Sequence, residues 1–238
     1  MKIFLNDLGQ PVGECLGGWQ GAALPVRRCL TGKFCGVEPL CVDTHSESLF
    51  AALSEDTSGR TWTYMRYGPF SSLGAFVEWM EDYCFSADPF FYAFVEKNTG
   101  RALGMATYCS ISPSHGSIEV GHVNFAPSMQ RTAMATEAMY LMARHAFRVL
   151  HYRRYEWRLD NLNAASHEAA KRLGFVYEGV FRNASNYKGR NRDTAWYSIT
   201  HSEWDDLEIA FESWLDHLDP VSGKQQKSLG EFIKTAVR

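Results

Sequence analysis

The chain is expected to fold as an α+β protein, a mixed and mostly antiparallel central sheet with helices on both faces. Three features of its 238 residues support that expectation. Two strand-like runs, PFFYAFVEK and RALGMATYCSI, are joined by Asn-Thr-Gly, a short hairpin connection. A third run, GSIEVGHVNFAP, follows and leads into a long helix of small and apolar residues, TAMATEAMYLM. After it come the alternating strand RRYEWRLD, the helix NAASHEAAKRLGF and a closing hairpin that turns at KGRN. Strands and helices in that order make a sheet covered by helices rather than a sandwich or a bundle.

The flanking elements read as follows. Residues 1–24 are rich in glycine and are expected to lie as an arm over the main body, with KFCGVEPL as an extended edge element after it. THSESLFAALSE has helical patterning with Thr44 or Ser46 as its cap. WTYMRYGPFSS is aromatic and turn-rich, and SLGAFVEWMEDYCF has apolar residues at helical spacing. Asn163 is the expected N-cap of the NAASHEAAKRLGF helix and Gly174 its stop. Residues 202–217 return to helix, and in the polar tail Leu229, Phe232, Ile233 and Val237 share a helical face that could dock on the body or on a second subunit. The expected organisation is an arm over 1–33, a domain over 34–200, and a helix and tail over 201–238.

Composition narrows the function classes. A net charge of -3 provides no basic field for nucleic acid. Charge breaks the apolar runs well below membrane-spanning length. The opening MKIFLNDLGQPVGE is a poor signal peptide, so a cytoplasmic location is expected. Cys15, Cys29, Cys35, Cys41, Cys84 and Cys109 contain no C-x-x-C pair and no His at ligand spacing, which favours reduced structural thiols and no metal.

The stretch NFAPSMQRTAMATEAMYLM could be a phosphate site or only a strand-to-helix corner. A helix N-terminus presents unpaired N–H groups and the positive end of its dipole to an anion. Glycines usually line such corners, for positive φ and for close approach. Alanine serves for closeness alone if its φ is helical, with Met134 turned to the core and Arg131 and Thr132 adding a charge and a hydroxyl.

The run Gln130, Arg131, Thr132, Ala133, Met134, Ala135 resembles the acetyl-CoA-binding motif of the GNAT superfamily, with alanine replacing its middle glycine. DNLNAASHEAAKRLGFVYEG is similar to the next motif in the RimJ/RimL-like branch of that superfamily, and IEVGHV to that branch's Glu-x-Gly strand. The three occur in the family's order over roughly residues 34–204.

The resemblance implies a GNAT fold whose sheet splays at the acetyl-CoA site, and direct transfer of an acetyl group to an amine. Acetyl-CoA is the implied co-substrate and no metal is implied. Val123, Asn124 and Phe125 would contact pantetheine and the acetyl oxygen, and the pyrophosphate would sit on the N–H groups of Arg131 to Thr136. The attacking amine must lose a proton, and Glu119 and His122 are the two candidates for taking it. Strand alternation puts His122 on the opposite side of the sheet from Glu119 unless a bulge intervenes. For the departing thiolate, many family members use a Tyr four residues before the Leu-Gly-Phe glycine; here that position is Ala170. Ser166 is the branch's alternative, and Asn163 could both cap its helix and bond the pantetheine amide.

The same residues keep bland readings. Glu119 could merely pair with an Arg, and Ser166 and Asn163 could merely cap. Trp62, Tyr64, Tyr67 and Phe70 could wall the acceptor pocket or fill the core. Arg182, Arg190, Arg192 and Asp193 could be solvated charge or a substrate- or dimer-facing surface. The acceptor is left open between protein N-termini and small amines, the acyl chain between acetyl and longer or charged groups, and the assembly between monomer and homodimer. The rival to an enzyme is a GNAT-fold sensor or scaffold that holds acyl-CoA and transfers nothing.

Overall fold

Ten strands and six helices make up the computed structural model, which describes residues 3–218, 225 and 227–236. The strands are β1 Phe4–Leu5, β2 Pro11–Val12, β3 Leu30–Thr31, β4 Cys35–Pro39, β5 Phe90–Glu96, β6 Ala102–Ser112, β7 Ser117–Phe125, β8 Arg154–Asp160, β9 Val176–Tyr187 and β10 Arg190–Thr200. The helices are α1 Val42–Leu53, α2 Leu73–Tyr83, α3 Ala133–Arg144, α4 Ala164–Arg172, α5 His201–Asp216 and α6 Leu229–Ala236. β1 and β2 form a separate ribbon, and the other eight strands make one sheet in the order β3-β4-β5-β6-β7-β8-β10-β9. Every neighbouring pair is antiparallel except β7 and β8, which run parallel.

Two cores explain the layering. On one face, Leu49, Leu53, Phe76 and Met80 of α1 and α2 pack on Phe91, Ala93 and Met105 of the sheet. On the other, Ala138 and Met142 of α3 and Trp204, Phe211 and Trp214 of α5 meet Tyr108, Ile118, Tyr155 and Tyr197. Each large side chain so buried is worth about 1.5–3 kcal/mol. The apolar spacing therefore decides which helix faces the sheet.

Three local expectations are refined. α1 begins at Val42 with Cys41 at its N-cap, ahead of Thr44 and Ser46, because His45 Nδ1 accepts the Cys41 N–H at 3.1 Å. KFCGVEPL is one strand in from the edge, since β3 of the arm pairs with it. Glu137 of α3, only 2% exposed, fixes that arrangement by accepting the N–H groups of Lys33, Phe34 and Cys35. Gly32 leaves it the room, as a Cβ there would lie 2.3 Å from the Glu137 carboxyl carbon. Among the thiols, Cys15 and Cys29 are exposed while Cys35, Cys84 and Cys109 are buried.

The closing hairpin turns at Lys188 and Gly189, both at positive φ, as a two-residue turn between right-twisted strands requires. α6 lays Leu229, Phe232 and Ile233 on the chain's own core. Val237, expected on the same face, lies outside the described residues.

Candidate active site

β7 and β8 are registered only at Ser117–Arg154, Ile118–Tyr155 and Glu119–Glu156. Beyond those pairs the strands part, and the opening widens into a cavity of about 1270 Å³. A β-bulge shapes one wall. Gly121 faces Thr107 and Asn124 faces Met105, so β7 carries one residue more than β6 over this stretch. The extra residue brings His122 to φ 52°. The bulge cancels the strand alternation, and Glu119 and His122 line the same cavity. Gly121 keeps the bulge open, since a Cβ there would stand 2.6 Å from Cys109 Sγ.

The corner after β7 is a helix N-terminus with free donors. Thr132 is the N-cap of α3; its hydroxyl donates to the Met129 carbonyl at 2.6 Å and accepts the Ala135 N–H at 3.2 Å. That hydroxyl is committed to the cap rather than to an anion. Gln130 also folds inward, its amide donating to the Phe125 carbonyl at 3.1 Å. The N–H groups of Arg131, Thr132, Ala133 and Met134 have no partner among the described residues, and Arg131 is exposed beside them. Positive φ falls on Arg131, at 61°, and not on the alanines, which are helical. Ala135 and Thr136 line the cavity, while Ala133 packs on the core and Met134 is buried, leaving only their backbone for a ligand.

Glu119 is 9% exposed. Its Oε2 accepts from the Ser110 hydroxyl at 3.1 Å and stands 3.4 Å from Arg158 Nη1. Burial raises its pKa against the pull of Arg158 and Ser110. Glu156 supports the arrangement by binding Arg158 and Arg154 on the far side. For His122, burial together with Arg66 and Arg192 brings the pKa down to about 4, so the ring is neutral at pH 7. The Tyr67 hydroxyl meets His122 Nδ1 at 2.8 Å. That buried O–H has no other partner among the described residues, and leaving it unsatisfied would cost about 1–3 kcal/mol. Nδ1 therefore accepts, and the hydrogen of the neutral ring sits on Nε2.

Across the opening, Ser166 Oγ accepts the Trp157 indole N–H at 2.9 Å. Its own proton is free to point into the cavity, which Ser166 also lines. Asn163 caps α4 by accepting the Ser166 N–H at 3.1 Å, leaving its amide N–H₂ for the same space. Ala170 is fully buried. Val123, Asn124 and Phe125 line the wall after the bulge.

Residues 37–176 match the family model of the acetyltransferase (GNAT) domain. The chain belongs to the GNAT acetyltransferases. It is similar to a GCN5-related N-acetyltransferase from Brucella melitensis, with 38% identity, 92% of this chain and 100% of that one covered, and a TM-score of 0.88. A probable acetyltransferase of the GNAT family from Chromobacterium violaceum ATCC 12472 is 39% identical, with 82% of this chain and 98% of that one covered and a TM-score of 0.76. The uncharacterized N-acetyltransferase p20 of Bacillus licheniformis is 22% identical over 144 residues, 59% of this chain and 80% of p20.

For a GNAT acetyltransferase the cavity has two ends. One is the corner of α3, with exposed Arg131 and its free amides. Arg172 adjoins it, donating to Thr136 Oγ1 at 3.0 Å. At the other end, Tyr64 lines the cavity while Trp62, Tyr67 and Phe70 pack in the second core, so the aromatic run divides between both of its readings. Arg192 likewise separates from Arg182 and Arg190 by lining the cavity. Ser110, Trp157, Arg158, Arg172 and Arg66 carry no signal in the sequence; the pairing of strands brings the first three to the site, while Arg172 comes from the end of α4 and Arg66 from the loop before α2. Among the described residues, no group of three or more His, Cys, Asp or Glu could hold a metal, and no helix is long and apolar enough to cross a membrane.

Proposed function

We propose that this acetyltransferase, a member of the RimJ/RimL-like branch, moves an acetyl group from acetyl-CoA to a primary amine by direct attack, the amine belonging to a protein N-terminus or a small molecule. The carrying observation is that β7 and β8 part beside the α3 N-terminus, with Glu119 on one wall and Ser166 on the other. Pyrophosphate would take the amides of Arg131 to Met134. The thioester would lie along Val123 to Phe125, where backbone N–H groups meet the developing oxyanion; one such donor is worth about 3 kcal/mol.

Glu119 accepts the ammonium proton, since its raised pKa keeps a buried carboxylate basic enough for the task. His122 in its Nε2–H form donates rather than accepts, so it orients the acceptor. The amine nitrogen then bonds to the acetyl carbon, the C–S bond breaks, and the surplus proton of that nitrogen passes to the thiolate, directly or through the Ser166 hydroxyl, leaving the amide and CoA thiol. The competing reading, a scaffold that holds acyl-CoA, draws on Ala170 in place of the usual tyrosine.

The test is CoA release with a panel of amines, for wild type and Glu119→Gln. We expect turnover by wild type and a fall of about 10²-fold or more at pH 7 in the variant. The gap should close near pH 10, where a large share of the amine is free without help. A gap unchanged with pH would remove Glu119 as the base, and no release with any amine would favour the scaffold.

A further inference from the structure

The acceptor end of the cavity carries two arginines that the transfer step does not use. Arg66, Arg158 and Arg192 face it, opposed by Asp88, Glu119 and Asp160. Each carboxylate is already engaged. Asp88 accepts the N–H groups of Ser110 and Ile111 at 3.1 and 2.9 Å. Asp160 accepts the Leu162 N–H at 2.9 Å and the Tyr187 hydroxyl at 2.8 Å. Glu119 takes Ser110 and Arg158, and Arg158 is shared with Glu156.

Arg66 and Arg192 are left over. Neither has a carboxylate within ion-pair distance among the described residues. Among the described residues, the exposed Arg66 reaches only the Asn186 carbonyl, at 3.4 Å, and the buried Nε of Arg192 has no partner. A buried polar group such as that Nε costs stability unless something satisfies it, and a binding site is where that something is a ligand.

We infer that the acceptor is an amine that also carries an anionic group, a carboxylate or a phosphate, which Arg66 and Arg192 bind while the amine stands at Glu119. A guanidinium fork matches either anion with paired N–H donors. Burial is the first cause of the low His122 pKa, and Arg66 and Arg192 add to it while Asp88 opposes; a second ammonium placed beside the same two guanidinium groups meets their repulsion, so polyamines fit poorly. The CoA phosphates have their own cations, Arg131 and Arg172, at the far end. The inference rests on the transfer reading for the position of the amine, and on the two arginines alone for the anion.

The experiment is calorimetric titration of matched amines into protein loaded with CoA, so that binding is read without turnover. L-phenylalanine is compared with L-phenylalaninamide, phosphoethanolamine with ethanolamine, and spermidine is run alongside. The anionic member of at least one pair should bind tenfold or more tightly than its neutral partner, and the pair that shows it tells carboxylate from phosphate. Arg66→Gln and Arg192→Gln should each cut that ratio about tenfold. Unchanged acetyl-CoA affinity in both variants serves as the control for folding. Binding of the neutral amines or spermidine as tight as that of the anionic ones would overturn the inference. So would no binding of either anionic amine, or a ratio unmoved in both variants. Selective anion binding without any acetyl transfer would uphold the anion pocket and contradict the transfer reading.

Discussion

Ser166 receives a hydrogen bond from Trp157 Nε1 and has its own proton to give, and that combination separates it from an ordinary capping serine. The cap of α4 is made by Asn163, whose side chain takes the Ser166 backbone N–H. The hydroxyl proton is thus spare, and in the proposed transfer it serves the thiolate as sulfur leaves. Ser166→Ala should lower kcat by about 10- to 100-fold, the equivalent of a hydrogen bond to a charged group at about 1.5–3 kcal/mol. KM for acetyl-CoA should stay nearly constant, because the bond strengthens only as charge develops. Steady-state kinetics with a saturating amine would check it, and an unchanged kcat would return Ser166 to a structural part. Glu119 and His122 divide at the same scale. Both are buried in one cavity, yet an arginine and a serine serve the carboxylate, while a tyrosine proton occupies the imidazole nitrogen that a base would need.

The elements show which parts of the site could be read from the chain. The order of strands and helices was legible because alternation and helical spacing are local, as were the Asn163 cap, the Gly174 stop and the KGRN turn. Within the corner, Ala133 and Ala135 are helical, so the missing glycine costs nothing in φ, and the positive φ lies two residues before Ala133, at Arg131. What sequence spacing hid is tertiary. The bulge at His122 reverses the side of the sheet that alternation assigns, and it exists because β6 and β7 differ by a residue between their pairs. Of the two alanines in the corner, the helix turns Ala133 onto the core and leaves Ala135, with Thr136, lining the cavity. Arg158 and Arg192 sit on different strands, 34 positions apart, and share the cavity only because β10 inserts between β8 and β9. The tail face of Leu229, Phe232 and Ile233 carried two readings, and packing against the chain's own core selects one.

At the scale of the whole molecule, folding keeps His145 neutral in the interior between α3 and the sheet. Burial holds its pKa down to about 4, against 6.5 for a free imidazole. The unfolded chain takes up this proton first as pH falls, so the stability present above pH 6.5 is lost progressively toward pH 4. The full difference is roughly 3 kcal/mol, and His122 acts in the same direction. Urea midpoints at pH 7.5 and 5 should therefore fall less in His145→Gln than in wild type, whereas equal falls would show that another group governs acid unfolding.

The account as a whole depends on the α3 corner being the seat of the CoA pyrophosphate. Calorimetric titration of acetyl-CoA into wild type and Arg131→Glu tests it most directly, since Arg131 is exposed and its replacement leaves the core untouched. Charge reversal at the mouth should weaken binding at least tenfold, about 1.4 kcal/mol, with unfolding midpoints unchanged. Equal affinity in the two proteins, or no binding by folded wild type, would contradict the assignment of this corner.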